Sequence, residues 1–205
     1  SSILFDEYCA ETANSAVVYD IGSHVGYYGL LALAHGCKKV VAVEINPYFN
    51  ELLHLSYRLN NFAAEGKSLK IVEKLVGDPD LCHFNGQSNR KNWGFEGDEE
   101  NAEDRTVCHP TISLNELIAE DDNNDNDNEN DSDILYVKLD VEGTELIALQ
   151  KASYLLQRAQ HLMIEITIFN AQQNEADRKS QQDDAASTFS LLRTFNYDLY
   201  RSVND

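Results

Sequence analysis

Residues 16–26 read AVVYDIGSHVG, an apolar run that ends in an acid and passes into a segment with two glycines. The run at 16–21 predicts a buried parallel strand, because such a strand is covered on both faces and needs no polar alternation. The next segment, 27–35, is apolar and stops at Gly36, which predicts a helix followed by a terminating glycine. This stretch therefore predicts a strand, a turn and a helix, the first unit of an α/β domain.

The same alternation of strand and helix patterns continues along the chain. The predicted strands are residues 16–21, 39–44, 69–76, 134–140, 162–168 and 197–203. The predicted helices are residues 27–35, 46–60, 114–119, 144–152 and 185–195. Asn46-Pro47 caps the second of these helices, and a capping box of Ser113 and Glu116 begins the third. Repeated β–α units predict an α/β fold, a Rossmann-like, doubly wound, mostly parallel sheet with helices on both faces.

A single domain, residues 1–205, is predicted from the length of the chain. Two segments fall outside the alternation of strands and helices. Residues 80–110 hold spaced glycines between short mixed runs, which predicts a hairpin or loop excursion. Residues 120–133 consist of acids, asparagines and a serine. They predict a flexible, solvated acidic loop, because none of these side chains packs readily in a core.

The formal net charge of -19 is unevenly distributed. Residues 96–104 hold six acids and residues 120–133 hold eight, with no base in either segment, so the remaining chain is only mildly acidic. The absence of a basic patch disfavours a nucleic-acid partner, because neutralising phosphates is what dominates such binding. No apolar run approaches the roughly 20 residues of a bilayer-spanning helix, so no membrane span is predicted. Residues 1–15 are acidic and show no signal-peptide pattern.

The cysteines are Cys9, Cys37, Cys82 and Cys108, and no two of them form a CxxC pair. This spacing predicts reduced thiols rather than a disulfide framework. It favours a cytoplasmic protein, and the alternative is a soluble domain of a larger, membrane-anchored precursor. The repeated Cys-His pairs at 82–83 and 108–109 leave a zinc site open, although zinc ligands are usually more closely spaced.

Glycines and polar residues follow the first four predicted strands, where open α/β sheets bind their ligands. The candidate cofactor-binding residues are Asp20, Gly22, Ser23, His24, Gly26, Tyr27, Glu44, Ile45, Gly77 and Asp78. Gly22 and Gly26 allow a ligand to approach the backbone closely, and the helix that begins near Tyr27 favours a negative group. Glu44 is placed to accept hydrogen bonds from a ribose diol. The set predicts a nucleoside-bearing ligand.

The spacing of the glycines distinguishes between nucleoside ligands. A dinucleotide fingerprint would need glycine at His24 and Tyr27, so an oxidoreductase that uses a nicotinamide cofactor is disfavoured. Asp20 stands two residues before the first glycine and suits a ligand that carries an ammonium group. S-adenosylmethionine, with its methionine part, meets this requirement. Asp20 alone could equally serve to hold the backbone of the loop.

Two segments resemble the signatures of the FkbM family of class I S-adenosylmethionine-dependent methyltransferases. They are YDIGSHVGYY at 19–28 and VKLDVEGTE at 137–145. SLNEL at 113–117 and MIE at 163–165 resemble further family segments, so the resemblance spans about residues 16–200. His24 departs from the asparagine that is usual in the family. The last antiparallel strand of the class I fold is expected to be missing from this chain.

The resemblance implies transfer of a methyl group from S-adenosylmethionine to an acceptor, commonly a hydroxyl of a sugar, lipid or other small molecule. Asp140, Glu142 and Glu165 are the candidate catalytic residues, because a carboxylate near the acceptor can take the hydroxyl proton. Lys138 shares a side of its strand with Asp140 and is expected to pair with an acid. No divalent metal is predicted, although some O-methyltransferases of this class use one. The alternative is a non-catalytic, methyltransferase-like binding module that retains the nucleoside pocket.

Overall fold

The computed structural model describes residue 9 and residues 17–79, 110–122, 134–141, 144–166 and 175–200. The predicted excursion at 80–110 lies almost wholly outside the described residues, as does most of the predicted acidic loop at 120–133. Glu142 and both Cys-His pairs also lie outside them.

The strands form one large sheet and one small one. They are β1 (Val17–Ile21), β2 (Lys39–Val43), β3 (Ser68–Val72), β4 (Leu75–Val76), β5 (Thr111–Ile112), β6 (Ile134–Leu139) and β7 (His161–Ile164). The large sheet has five strands in the order β3-β2-β1-β6-β7, and every neighbouring pair is parallel. The order reverses between β1 and β6, the place where doubly wound sheets bind ligands. The predicted Rossmann-like parallel sheet is confirmed.

Among the described residues, six α-helices and a short 3-10 helix, Phe62–Glu65, have defined bounds. The helices are α1 (Tyr27–Ala34), α2 (Pro47–Leu59), α3 (Leu114–Asp122), α4 (Glu145–Gln150), α5 (Ser153–Arg158) and α6 (Glu175–Thr194). The predicted caps are confirmed. The Asn46 side chain accepts a 3.0 Å bond from the Tyr48 N–H, and Glu116 and Ser113 bond reciprocally. In the described part of the chain, no helix has the length and apolar character needed to cross a bilayer.

Alternate residues of β1 belong to two apolar clusters, because successive side chains of a strand point to opposite faces. Val17, Tyr19 and Ile21 belong to the larger cluster, which includes residues of α3, α4, α5 and α6. Val18 belongs to the smaller one, with residues of α1. Asp20 shares the face of Val18, so its carboxylate lies beneath α1.

The third predicted strand is wrong in its extent. Residues 69–76 were expected to form one strand, but β3 ends at Val72 and β4 pairs with β5 in the small sheet. The polar pair Glu73-Lys74 interrupts the apolar run, and Lys74 pairs with Glu120 of α3 at 3.3 Å.

The predicted last strand at 197–203 is also wrong over residues 197–200, which form no strand. The Tyr197 hydroxyl donates to the carbonyl oxygens of Ala159 at 2.8 Å and Leu156 at 3.2 Å. This side chain fixes the segment to α5 and the turn after it, so residues 197–200 do not extend the sheet.

Three helix boundaries differ from the prediction. Residues 144–152 were expected to form one helix, but α4 ends at Gln150 and α5 starts at Ser153. Helix α6 begins at Glu175, before the predicted 185. Several residues of its first turns have good helix propensity, which explains the early start. These turns carry no apolar stripe, which explains why the hydrophobic pattern did not reveal them. Helix α3 extends to Asp122 and takes in the start of the predicted acidic loop.

Asp121 corrects the prediction that the acidic segment is solvated throughout. Its side chain is buried and accepts a 3.1 Å hydrogen bond from the Tyr19 hydroxyl. Lys39 lies 2.9 Å from one carboxylate oxygen and Lys70 lies 3.1 Å from the other. Two cations and a phenol thus compensate this buried charge. The sequence shows the acid but not the lysines that the sheet brings to it.

Cys9 and Cys37 form a disulfide, so the prediction of reduced thiols is wrong for this pair. Their Cα atoms are 4.8 Å apart, and both residues are buried in the smaller apolar cluster. The pairing depends on residue 9 lying beside the turn after α1. Spacing along the chain does not reveal that neighbourhood.

Candidate active site

Gly22 and Gly26 bring the β1–α1 loop into close contact with two other elements. Both have left-handed backbones, with φ of 68° and 81°. A Cβ atom on Gly22 would overlap the carbonyl oxygen of Asp140, and one on Gly26 would overlap the side chain of Leu53. These glycines therefore allow the loop to pack against the end of β6 and against α2, which fixes the backbone that surrounds the site.

His24 contributes its backbone to the site. Its φ of 51° lies in the left-handed region, which asparagine and histidine adopt more readily than most residues. Its N–H donates to Glu44 Oε2 at 2.9 Å, while its ring packs 3.9 Å from the ring of Phe49. The backbone conformation explains why histidine fits where the family resemblance leads us to expect asparagine.

Glu44 is held by main-chain donors from two directions. Its Oε2 accepts the bond from His24, and its Oε1 accepts a 2.8 Å bond from the N–H of Asn46. Ile45, which lies between Glu44 and Asn46 in the chain, is partly buried. Each carboxylate oxygen can accept a second hydrogen bond, so Glu44 is oriented and still able to bind a diol.

Asp20 is fully buried and only one of its oxygens is hydrogen-bonded. Its Oδ2 accepts a 2.8 Å bond from the N–H of Gly29 in α1, whereas Oδ1 has no hydrogen-bond partner among the described residues. Burial raises the pKa of this carboxyl from 3.8 to about 6, although Lys138 and the Gly29 N–H act in the opposite direction. Asp20 thus holds the backbone of α1 rather than that of the loop, and its second oxygen can still accept a hydrogen bond.

Ser23 presents a second unsatisfied polar atom. Its N–H bonds to the carbonyl of Val43 at 3.0 Å, but its buried hydroxyl has no partner in the described structure. Buried polar atoms are rarely left unpaired, and a missing ligand or water is a common explanation. The atoms Asp20 Oδ1 and Ser23 Oγ therefore fit a polar ligand group that both accepts and donates hydrogen bonds.

Lys138 is the cation at the centre of the site. Its Nζ donates to the Gly22 carbonyl oxygen at 2.6 Å and lies 3.1 Å from Asp140 Oδ2 and 3.8 Å from Asp20 Oδ1. It also lies 5.7 Å from the centroid of the Tyr28 ring. The prediction that Lys138 pairs with an acid is confirmed, and two acids are involved.

Tyr28 joins this cluster and was not singled out in the sequence. Burial raises the pKa of its hydroxyl, and the charge of Glu165 adds to that effect. Glu165, whose N–H bonds to the carbonyl of Leu139 at 3.0 Å, is thus within electrostatic range of Tyr28. Tyr27, the neighbouring candidate, is exposed. The signal for Tyr28 was its place in the first turn of α1, where neighbouring residues point about 100° apart, so that Tyr27 faces the solvent and Tyr28 faces the site.

Gly77 and Asp78 do not follow the third strand of the large sheet as predicted. They follow β4, and Asp78 pairs with Lys151 at 3.5 Å. The acid after β3 is Glu73, whose Oε2 accepts a 3.3 Å bond from the Asn50 side chain. The predicted third strand extends to residue 76, so Glu73 falls within the predicted strand and not in the place of the acid that follows it. A role for Gly77 and Asp78 in binding stays a prediction.

The contacts bring six of the thirteen candidate residues together with Lys138 at the carboxyl ends of β1, β2 and β6. Those joined by hydrogen bonds, ion pairs or close packing are Asp20, Gly22, Ser23, His24, Glu44, Lys138 and Asp140. Within the described ranges, no group of three or more acids, histidines and cysteines is arranged to hold a metal ion. The site therefore combines several carboxylates with one cation, which suits a polar ligand that carries positive charge.

One comparison with known families identifies the domain type. The family model described as "Methyltransferase FkbM domain" matches residues 20–199, from the buried acid of β1 to the segment after α6. No curated protein matches the sequence.

Proposed function

Because the chain belongs to the FkbM methyltransferase domain family, we propose that it uses S-adenosylmethionine to methylate a hydroxyl group of a sugar, lipid or other small molecule. The family makes it a methyltransferase. The donor, the acceptor class and the residues that serve them are our proposal.

The pair of unsatisfied buried atoms, Asp20 Oδ1 and Ser23 Oγ, is the observation that carries the proposed donor. S-adenosylmethionine, when bound, supplies an electrophilic methyl group on a sulfonium. Its ammonium group needs an acceptor, which Asp20 offers, and its carboxylate needs a donor, which Ser23 offers. Glu44, fixed by two main-chain N–H groups, is available to the ribose hydroxyls.

The acceptor side is assigned to the carboxylates beyond Lys138. The side chain of Asp140 is 30% exposed, and Glu165 is exposed. A hydroxyl becomes a better nucleophile as it loses its proton, and a carboxylate within hydrogen-bond reach can accept that proton. Asp140 and Glu165 are the candidates for this role among the described residues. Methyl transfer is an in-line displacement, so holding the acceptor in place is the rest of the task.

The alternative of a non-catalytic binding module has one observation in its favour. Lys138 already engages an oxygen of Asp140, which reduces the ability of that carboxylate to accept a proton. Donor binding without methyl transfer to any hydroxyl would support the binding module.

The disulfide between Cys9 and Cys37 bears on location. Disulfides persist in oxidising compartments and are rare in the cytosol. The disulfide therefore favours an oxidising compartment and disfavours the predicted cytoplasmic location. The membrane-anchored precursor stays a prediction.

Calorimetric titration tests the donor proposal. We expect the purified chain to bind S-adenosylmethionine and S-adenosylhomocysteine and not NAD. Glu44→Gln should weaken both adenosyl ligands by roughly 10-fold to 100-fold, because it removes a charged acceptor. Glu51→Gln, on the exposed side of α2, is the matched control. A folded chain that binds neither adenosyl ligand would contradict the proposal. Transfer of a labelled methyl group to sugar or lipid hydroxyls then tests turnover.

A further inference from the structure

Building on the proposed function, we propose that Lys138 is a positioning residue for the donor. Its buried ammonium group ties the β1–α1 loop to the end of β6 and supplies the charge that keeps the Asp20 carboxylate ionised for a cationic ligand.

The position of Lys138 follows from the register of the sheet. Asp20 in β1 is the ladder partner of Lys138 in β6, so both side chains leave the same face at the same level. Asp140 stands two residues after Lys138 and therefore shares that face. One cation is thus placed between an acid on the neighbouring strand and an acid at the end of its own strand.

The three contacts of the ammonium group differ in kind. The bond to the Gly22 carbonyl oxygen, at 2.6 Å, and the contact with Asp140 Oδ2, at 3.1 Å, are within hydrogen-bond distance. Asp20 Oδ1, at 3.8 Å, is within ion-pair distance only. Lys138 therefore compensates the charge of Asp20 without occupying its second oxygen through a hydrogen bond, so that oxygen keeps its capacity to accept one.

Burial makes this compensation strong. The side chain of Lys138 is 5% exposed and that of Asp20 is 1% exposed. Two charges interact more strongly away from water, and an acid buried without its cation is costly. Removing the charge of Lys138 should therefore drive Asp20 to its neutral form, in which it no longer attracts an ammonium group.

The other groups around Asp20 set the direction of the effect. The Gly29 N–H of α1 lowers the pKa of the carboxyl, whereas Asp140 and Glu44 raise it. Among the described residues, Lys138 is the charged side chain near Asp20 that favours ionisation.

The nearby phenols do not change this balance. They belong to Tyr28 of α1 and Tyr136 of β6, and burial raises the pKa of both. Both hydroxyls therefore stay uncharged at neutral pH and below. Without the lysine, the balance at Asp20 shifts further towards protonation.

A merely structural lysine would give a different result from a charge-compensating one. If Lys138 only held the Gly22 carbonyl, its loss would lower stability by the same amount at every pH. If Lys138 keeps Asp20 ionised, its loss shifts the pH range over which stability falls. The variants are Lys138→Met, which removes the charge, Lys138→Arg, which keeps it, and Lys179→Met on the exposed side of α6 as the control.

The first measurement needs no ligand. Denaturant unfolding is followed from pH 4 to pH 8 for the parent and the three variants. As pH rises from 4, the parent should lose stability until pH passes about 6, above which Asp20 is ionised in the folded protein. In Lys138→Met this loss should extend at least one pH unit higher, whereas Lys138→Arg and Lys179→Met should follow the parent. Parallel profiles for the parent and Lys138→Met would overturn the inference.

The second measurement is calorimetric titration with S-adenosylmethionine over the same pH range. Affinity of the parent should rise with pH through about 6, since the ligand's ammonium group requires ionised Asp20. Lys138→Met should bind about tenfold more weakly than the parent at pH 5, which lies below both midpoints, because one unit of displacement there changes the ionised fraction of Asp20 about tenfold; at pH 7 the difference should shrink to about twofold. Lys138→Arg should keep the parental midpoint. If the parent does not bind, the proposed donor fails, while the unfolding profiles still decide the role of Lys138.

A variant that does not fold is also informative. If Lys138→Met is unfolded at neutral pH, adding Asp20→Asn should restore folding, because the uncompensated carboxylate is gone. A double variant that remains unfolded would assign Lys138 a structural role and overturn the inference.

Discussion

Asp20 and Lys138 face each other across the β1–β6 ladder, with 3.8 Å between the carboxylate Oδ1 and the ammonium nitrogen. The two strands are the pair at which the order of the sheet reverses. The counter-charge of this buried acid is therefore a lysine on the neighbouring strand, and solvent does not reach either side chain to any large extent. This pairing couples the electrostatics of the site to the core of the fold.

Asp20→Asn should flatten the pH dependence of stability. The carboxyl has a pKa of about 6 in the folded protein and 3.8 as a reference, so the native state binds more protons between these values. Stability from this group is greatest below pH 4 and is lost as pH rises through 6, with a total of about 3 kcal/mol. The amide can still accept the Gly29 N–H. When the free energy of unfolding in urea is plotted against pH from 4 to 8, it should change less steeply in the variant than in the parent. An equally steep pH dependence would refute the assignment.

Gly22→Ala should destabilise the protein more than Gly66→Ala. Both glycines have φ near 70°, at 68° and 69°, but a Cβ on Gly66 meets no atom within 4 Å. The left-handed backbone costs each variant about 1 kcal/mol. The overlap with Asp140 should add about 1 to 3 kcal/mol in Gly22→Ala alone. Thermal and denaturant unfolding measure the difference, and equal losses would show that the β1–α1 loop adapts freely.

Cys9 and Cys37 should resist alkylation in the folded, unreduced protein. Mass spectrometry after iodoacetamide treatment detects modified thiols, and modification of Cys37 without reductant would contradict the disulfide. The bond spans 28 residues, for which loop closure predicts a stabilisation of about 3 to 4 kcal/mol. Reductant should lower the melting temperature of the parent, whereas the double variant Cys9→Ser/Cys37→Ser should already be lowered and show no such loss from this bond.

Asp121→Asn should cost more stability than Glu120→Gln, although the two acids are adjacent. Asp121 is buried between two lysines, each partly exposed, so removing its charge should cost about 2 kcal/mol after allowance for solvent screening. Glu120 makes an exposed pair with Lys74, which is worth about 0 to 1 kcal/mol. Chemical denaturation compares the two, and equal effects would show that Asp121 behaves as a surface acid.

The strand ends that carry the site were predictable because local rules determine them. An apolar run that ends in an acid and glycine located Asp20 and Gly22 on the sheet, and the next such run located Glu44. The helix starts at Asn46 and Ser113 were predictable for the same reason, since capping depends on residues three positions apart or fewer.

Features that depend on distant neighbours were not predictable. The break between β3 and β4 depends on Thr111–Ile112, which offers a partner far along the chain. The burial of Asp121 depends on lysines from two strands, and the disulfide depends on the position of Cys9. In each case the residue was visible in the sequence, but the fold supplies the partner that defines its role.

The two donors that hold Glu44 are main-chain N–H groups, and this limits what mutation can do to the site. A side-chain substitution at position 24 or 46 leaves the N–H in place as long as the backbone keeps its path. Selection can therefore exchange the residues around this acid while the direction of its carboxylate is inherited unchanged. Histidine at position 24, where the family resemblance leads us to expect asparagine, still donates its N–H to Glu44 in this way.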